Sequence, residues 1–182
     1  MTVRTDHPPA GTWVVTPATT KAELIVRHFA EQVRAGFGRI HGTIEIATDP
    51  RLSRVVGSVE VASFVSGSDE RDEHVRGPLL ASLHHPTIGL VSTGLRPGGA
   101  DSFELEADLT VKDVTKPVTL SLGFLGWKEV GPGDTRAWFY AEAVIDRTDF
   151  GVGWNRLIEL PKTVGRNVKI ELRVEARLDQ AS

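Results

Sequence analysis

Phe103-Glu104-Leu105-Glu106-Ala107-Asp108-Leu109-Thr110-Val111-Lys112 places an apolar residue at every odd position and, Phe103 onward, a polar one at every even position. That period of two is the signature of a β-strand with one face turned to water. Val168, Ile170, Leu172, Val174, Ala176 and Leu178 alternate in the same way with Lys169, Glu171, Arg173, Glu175 and Arg177. Val118, Leu120, Leu122 and Phe124 form one face of a third segment, and Ala137, Phe139, Ala141, Ala143 and Ile145 one face of a fourth. Shorter apolar runs at 13–16, 22–28, 39–47, 53–63 and 87–92 read as further strands. Asp49-Pro50, Pro97-Gly98-Gly99 and Gly131-Pro132-Gly133-Asp134 fall between these runs as hairpin connections. Half-buried strands joined by short turns make an all-β antiparallel meander, and period alone leaves a sandwich and a closed barrel equally open.

Two regions break the alternation. Arg71-Asp72-Glu73-His74-Val75-Arg76 is too densely charged for a strand connection. Ser68 supplies an N-cap ahead of it, and Asp69 and Glu70 put negative charge at the positive end of a helix dipole. A short helix is expected there, stopping near Gly77-Pro78. Leu79, Leu80 and Leu83 then recur at helical spacing, so 69–85 reads as two short helices over one end of the sheet. The stretch 148–165 has no period of two but carries Phe150, Trp154, Leu157, Ile158 and Leu160, so it is expected to pack on the domain or cover an opening.

Composition bounds the function. A chain of 182 residues with 40% hydrophobic content is the size of one domain with a real core. Its net charge is −3 with acids and bases interleaved, which leaves no basic face for phosphates and argues against nucleic-acid binding. Absence of cysteine excludes disulfides, thiolate nucleophiles and cysteine-ligated metals. Residues 1–11 read as a flexible N-terminal segment, with a charge and two prolines where a secretion signal would place its apolar core, so the expected compartment is cytoplasmic. No window approaches the roughly 20 apolar residues needed to span a bilayer, which limits membrane contact to the peripheral and transient.

Catalytic signals are sparse. His28, His74, Asp72, Asp108 and Asp149 could serve acid-base chemistry, but neither a Gly-x-Ser-x-Gly elbow nor a His-Glu-x-x-His helix accompanies them. His84 and His85 are adjacent, and neighbours on a helix point about 100° apart, which disfavours a shared metal ion. No catalytic residue and no metal ligand are assigned.

A set of separated motifs occurs in one order: Val26-Arg27-His28, Gly36-Phe37, Gly42-Thr43-Ile44, Arg71-Asp72-Glu73-His74, and His85-Pro86-Thr87-Ile88 leading to Ser92-Thr93. Leu109-Thr110 through Thr115-Lys116-Pro117 and Arg147-Thr148-Asp149-Phe150-Gly151-Val152 follow. Together they resemble the YceI-like family, lipocalin-like barrels that bind polyisoprenoid lipids. The resemblance runs from about Thr12 to Leu178. It implies an all-β fold, a single antiparallel eight-stranded lipocalin-like β-barrel over 12–179 with a short helical segment at one end.

The implied ligand is a polyisoprenoid, an isoprenoid quinone or a polyprenyl, or a similar amphiphilic lipid, with no other cofactor. On this resemblance the tunnel wall is His28, Phe37, Val61, Phe64, Leu80, Phe103, Leu105, Leu109, Leu120, Leu122, Phe124, Phe139 and Phe150. Arg71, Asp72 and His74 become a polar latch between helix and barrel, with Asp108, Lys112 or Arg147 as partners. The chain departs from the family pattern in having Thr16-Pro17-Ala18-Thr19-Thr20 where an Asp-x-x-His-Ser is common, and Leu79-Leu80 where paired phenylalanines are common. Two other readings stay open: an enzyme acting on an amphiphile, and a solid-cored module docking a partner through the loop around Trp154. A homodimer is likewise left open.

Overall fold

The computed structural model describes residues 2–99, 102–153 and 164–180. Eleven strands follow the chain: β1 (Gly11–Val15), β2 (Lys21–His28), β3 (Glu31–Phe37), β4 (Ile40–Ile46), β5 (Arg54–Glu60) and β6 (Phe64–Val65). After a helical insertion come β7 (Thr87–Pro97), β8 (Ser102–Val111), β9 (Val114–Gly131), β10 (Asp134–Asp146) and β11 (Val164–Leu178). Every pairing is antiparallel.

The eleven segments make eight staves. β1 and β2 both pair with β11, at Trp13↔Leu178 and Leu24↔Ile170, so they are one strand bent at 16–20. β3 and β4 are likewise one strand bent at 38–39, and β5 and β6 one strand interrupted at Val61–Ser63. The β1–β11 pairing closes the ring, and the fold is a closed eight-stranded antiparallel barrel with one short helix. Closure satisfies the edges that an open sheet would expose.

Alternation decides which face turns inward. Leu105, Ala107, Leu109 and Val111 of β8 are all buried, as the period requires. On β9 the parity changes at Leu125, where the register with β10 slips by one residue between Trp138 and Phe139. Gly126 follows with φ +122, and an added Cβ there would lie 2.8 Å from the Arg4 carbonyl oxygen. The slip turns Trp127 toward the interior, where the N-terminal segment covers it. Arg4 and Trp127 exchange two backbone hydrogen bonds of 2.8 Å, and the Arg4 guanidinium stands over the indole.

The interior is layered. At the end bearing the β9–β10 turn, Trp13, Ile46, Ala137 and Ala176 pack with Phe124, Trp127, Phe139 and Leu178. Leu105, Ala107, Leu120, Ala141 and Ala143 form a middle layer. At the other end Phe37, Phe64, Leu80, Leu109 and Phe150 gather beneath the helical insertion.

That insertion is α1 (Asp69–His74), capped by the Ser68 hydroxyl, with Asp69, Glu70 and Asp72 in its first turn. The second helix expected over 78–85 does not form. Pro78 has no N–H and its ring crowds the carbonyl four residues back, and the chain widens here into a π-turn over Val75–Leu79. The Leu80 N–H donates to the Val75 carbonyl at 2.9 Å, and Ala81 ends the turn at φ 50. Leu83 is then left 94% exposed, so its helical spacing had no packing consequence.

Candidate functional site

Between the middle layer and α1 the barrel is hollow. The cavity has a volume of about 910 Å³, near the top of the ~300–1,000 Å³ typical of small-molecule sites. Its wall is aliphatic: Leu24, Val26, Val33, Ala35, Ile40, Val55, Val59, Ile88, Leu90, Val168, Ile170 and Leu172 contribute from five staves. Leu120 and Ala143 close it from below, and Val75, Leu79 and Leu80 face it from the helical insertion. Gly42 and Gly57 stand opposite one another on β4 and β5 and both line the cavity, so at this height two inward positions carry no side chain.

Polar groups collect at the helix end. His28, at the end of β2, packs edge-on against Phe29, and Ser68, Arg71, His74 and Arg147 line the same mouth. Arg147 follows β10 directly in a 3₁₀ turn (Arg147–Phe150), capped by the Asp146 carboxylate. It donates from Nε to Gly165 O at 3.0 Å, from Nη1 to Val152 O at 2.8 Å and from Nη2 to Val164 O at 3.3 Å. Burial pulls its pKa below the ordinary arginine value, an effect opposed by the Asp146 carboxylate and reinforced by Arg166. Elsewhere on the wall Thr20 is satisfied by Glu175, accepting from its N–H at 3.1 Å and donating to its carbonyl at 3.2 Å.

The positions assigned to a tunnel wall divide by height. His28, Phe37, Phe64, Leu80, Leu109, Leu120 and Phe150 line the cavity. Val61, Phe103, Leu105, Leu122, Phe124 and Phe139 do not, which corrects the expectation for these six. Leu105 and Leu122 belong to the filled middle layer, and Phe124 and Phe139 pack on each other at 5.5 Å in the layer around Trp13. Val61 is buried beside the helical insertion, and Phe103 sits at the β7–β8 hairpin, opposite Pro97 and Leu122. Missed were the aliphatic faces of β2 and β11, although Val168, Ile170 and Leu172 alternate as clearly as β8 does. Arg147 had been read only as a partner for the helix.

The charged helix is tied down by its own flanks. The Ser66 hydroxyl donates to Asp72 at 2.5 Å while accepting from Arg71 Nε at 2.7 Å, and Arg71 Nη2 donates to the Ser66 carbonyl at 2.9 Å. Arg76 lies 3.7 Å from the other Asp72 oxygen and donates to the Phe64 carbonyl on β6. Asp72, only 5% exposed, thus bonds to Ser66 and Arg76 rather than to Asp108, Lys112 or Arg147. His74 faces the cavity instead. Asp72→Ala is expected to lower stability by about 1–3 kcal/mol, since the Ser66 hydroxyl and the Arg76 guanidinium lose a buried partner. Urea denaturation checks this, and an unchanged midpoint would mean the contact carries no stability.

Trp154, Leu157, Ile158 and Leu160, expected to pack or cover an opening, lie outside the described residues. Among the described residues no cluster of acidic and histidine side chains could hold a metal ion, and no helix is long and apolar enough to cross a membrane.

Staves closed round an apolar cavity, with one helix across the mouth, define a lipocalin-like barrel. The chain belongs to the YceI-like domain family, whose model matches residues 13–176. It is 35% identical over 107 residues to a UPF0312 protein of Azotobacter vinelandii, spanning 58% of this chain and 56% of that one. It is 29% identical over 149 residues to a UPF0312 protein of Pseudomonas putida, spanning 77% and 74%. The chain therefore spans little more than half the length of the first of these relatives.

Solved structures share the fold. BcnA of Burkholderia cenocepacia superposes with a TM-score of 0.77 at 18% identity, covering 88% of this chain and 98% of that one. A polyisoprenoid binding domain from Saccharophagus degradans, implicated in plant cell wall breakdown, superposes with a TM-score of 0.69 at 10% identity, covering 94% and 100%.

Proposed function

We propose that this chain binds a polyisoprenoid, a polyprenyl or isoprenoid quinone, or a similar long-chain amphiphile in its barrel and holds it without chemical turnover. The observation that carries this reading is the apolar cavity of about 910 Å³, whose polar groups are concentrated at the mouth. A packed protein interior leaves few voids larger than a water molecule, so a hollow of this size stands at odds with a solid interaction module. Burying roughly 500 Å² of ligand hydrocarbon at about 25 cal/mol/Å² contributes on the order of 12 kcal/mol before losses, enough to retain the ligand if ordering it takes back half.

The placement of Asp72 weighs against the catalytic alternative. Asp72 is engaged by Ser66 and Arg76 and does not line the cavity, which argues against it as the carboxylate of a catalytic site there. The polyisoprenoid binding domain among the structural neighbours shares the fold and adds support for the ligand class.

Mass spectrometry of an organic extract of the purified protein tests the reading. A co-purified isoprenoid or other long-chain amphiphile is expected. An extract free of lipid, from protein that also fails to take up a fluorescent fatty-acid or isoprenoid probe, would overturn it.

A further inference from the structure

The closed end of the cavity lies against two glycines. On β4, Ile44 pairs with Trp13 and packs against the filled layer around it. The next inward position toward the mouth is Gly42, where an added Cβ would lie 3.1 Å from a Val15 methyl, so this glycine stands directly above that layer. Gly57 opposes Gly42 on β5 and Leu90 on β7, and Val55, the inward residue before it, packs on the middle layer. His41, Val56 and Ser58 flank the two glycines and also line the cavity, so the hollow reaches the main chain here. On the facing wall Leu120 and Ala143 belong both to the middle layer and to the lining. The closed end is therefore a bay, with side chains on one wall and bare backbone on the other.

The depth above this bay limits what fits. Beside β2 the lining runs from Thr20, at its foot, to His28, at its upper end. Those residue steps, at about 3.3 Å each and tilted by roughly 40° as in small barrels, give an axial depth of about 20 Å. An extended hydrocarbon advances roughly 1.3 Å per C–C bond of about 1.5 Å, so about 16 bonds fit, the main chain of about four isoprene units. Below the bay the barrel is packed, and a packed interior does not admit a further methylene without strain.

We propose that the bay at Gly42 and Gly57, faced by Leu120 and Ala143, is the stop for the ligand's tail and sets the chain taken up at about four isoprene units. The inference rests on the lipid-binding reading and narrows it to a chain length. Each unit buried above the stop adds affinity, and units beyond it remain in water and add none. The missing side chains at 42 and 57 supply the last of that depth.

Prenyl alcohols with one common head test it: geraniol, farnesol, geranylgeraniol and solanesol, of two, three, four and nine units. Their displacement of a bound fluorescent fatty-acid probe gives relative affinities. A gain of at least about fivefold per unit is expected up to geranylgeraniol, and solanesol should then bind within about threefold of it. Gly57→Leu puts a side chain into the bay, so farnesol should bind as it does to the parent while geranylgeraniol falls at least about fivefold, to the level of farnesol. Gly57→Ala adds one methyl in an ordinary contact, 3.6 Å from the His41 carbonyl oxygen, and should keep the break at four units.

A gain that continues from geranylgeraniol to solanesol, or equal affinity from geraniol onward, would overturn the proposal on the unmodified protein alone, whether or not the variants fold. So would a folded Gly57→Leu whose break stays at four units, or a Gly57→Ala that moves the break as far as leucine does. Probe binding that no alcohol displaces would also overturn it and leave the lipid reading standing. If the probe itself does not bind, the lipid reading fails and this inference goes with it.

Discussion

Gly57→Phe is expected to leave the barrel folded and to cut uptake of a fluorescent fatty-acid or isoprenoid probe about a hundredfold, roughly 2.7 kcal/mol. Position 57 faces inward between Val55 and Val59, opposite Gly42, where no side chain fills the hollow. A Cβ added there meets only the His41 carbonyl oxygen at 3.6 Å, an ordinary contact, so the ring can extend into the void without moving backbone. Gly42 would serve less well, because its Cβ would stand 3.0 Å from the Val56 carbonyl oxygen and 3.1 Å from a Val15 methyl. A phenylalanine buries about 150–250 Å² of its own surface, replacing part of what the ligand would bury. The melting temperature should hold or rise, since filling an apolar void adds contacts. Val91→Thr, on the exposed outer face of the neighbouring strand β7, is the control and should leave uptake unchanged. A Gly57→Phe protein that takes up the probe like its parent would place the ligand somewhere other than this cavity.

The face each residue turns inward was legible from period two, but its height along the barrel axis was not. Leu105 and Leu109 sit on one face of one strand, yet Leu105 packs in the filled middle layer and Leu109 lines the cavity. What separates them is closure: Trp13 pairs with Leu178 and Ile44, contacts between distant parts of the chain that decide which end is plugged. Local pattern carries no such information. Phenylalanines were weighted toward the cavity for their flat rings, whereas Phe124 and Phe139 fill the Trp13 layer and the wall is mostly aliphatic.

Helix and bends follow the same logic. Ser68 and the acids behind it marked the start of α1 correctly, because capping is a local interaction. The Leu79-Leu80-Leu83 spacing misled because Pro78 already constrained the backbone before the spacing could matter. β3 escaped notice since Glu31–Phe37 mixes charges with small residues, and its inward positions, Val33, Ala35 and Phe37, are strand-like only beside β2. Arg147 stood in a recognised motif, but the carbonyl cradle that holds it emerges only when Val152, Val164 and Gly165 are brought round it.

Trp13→Ala should cause the largest loss of stability in the molecule, about 3–5 kcal/mol by analogy with buried tryptophans elsewhere. For a domain of this size that corresponds to a fall of roughly 6–20 °C in melting temperature. Trp13 is fully buried, and its indole N–H donates to the Pro9 carbonyl at 3.1 Å. It also sits on the five-residue strand that shuts the barrel, paired with Leu178 on one side and Ile44 on the other. Alanine would leave a void among Ile46, Ala137 and Ala176, where three small or rigid neighbours cannot collapse to fill it. Yet Trp13 does not line the cavity, and the middle layer of Leu105, Leu120 and Ala141 lies between them. At low temperature, where the variant remains folded by circular dichroism, probe affinity should therefore stay within about twofold of the parent. Gly57→Phe and Trp13→Ala then fail in opposite ways, one losing binding with the fold intact and the other losing stability with binding intact. If Trp13→Ala lost binding while still folded, the plugged end and the hollow end would be coupled, and the layered division of the barrel interior would not hold.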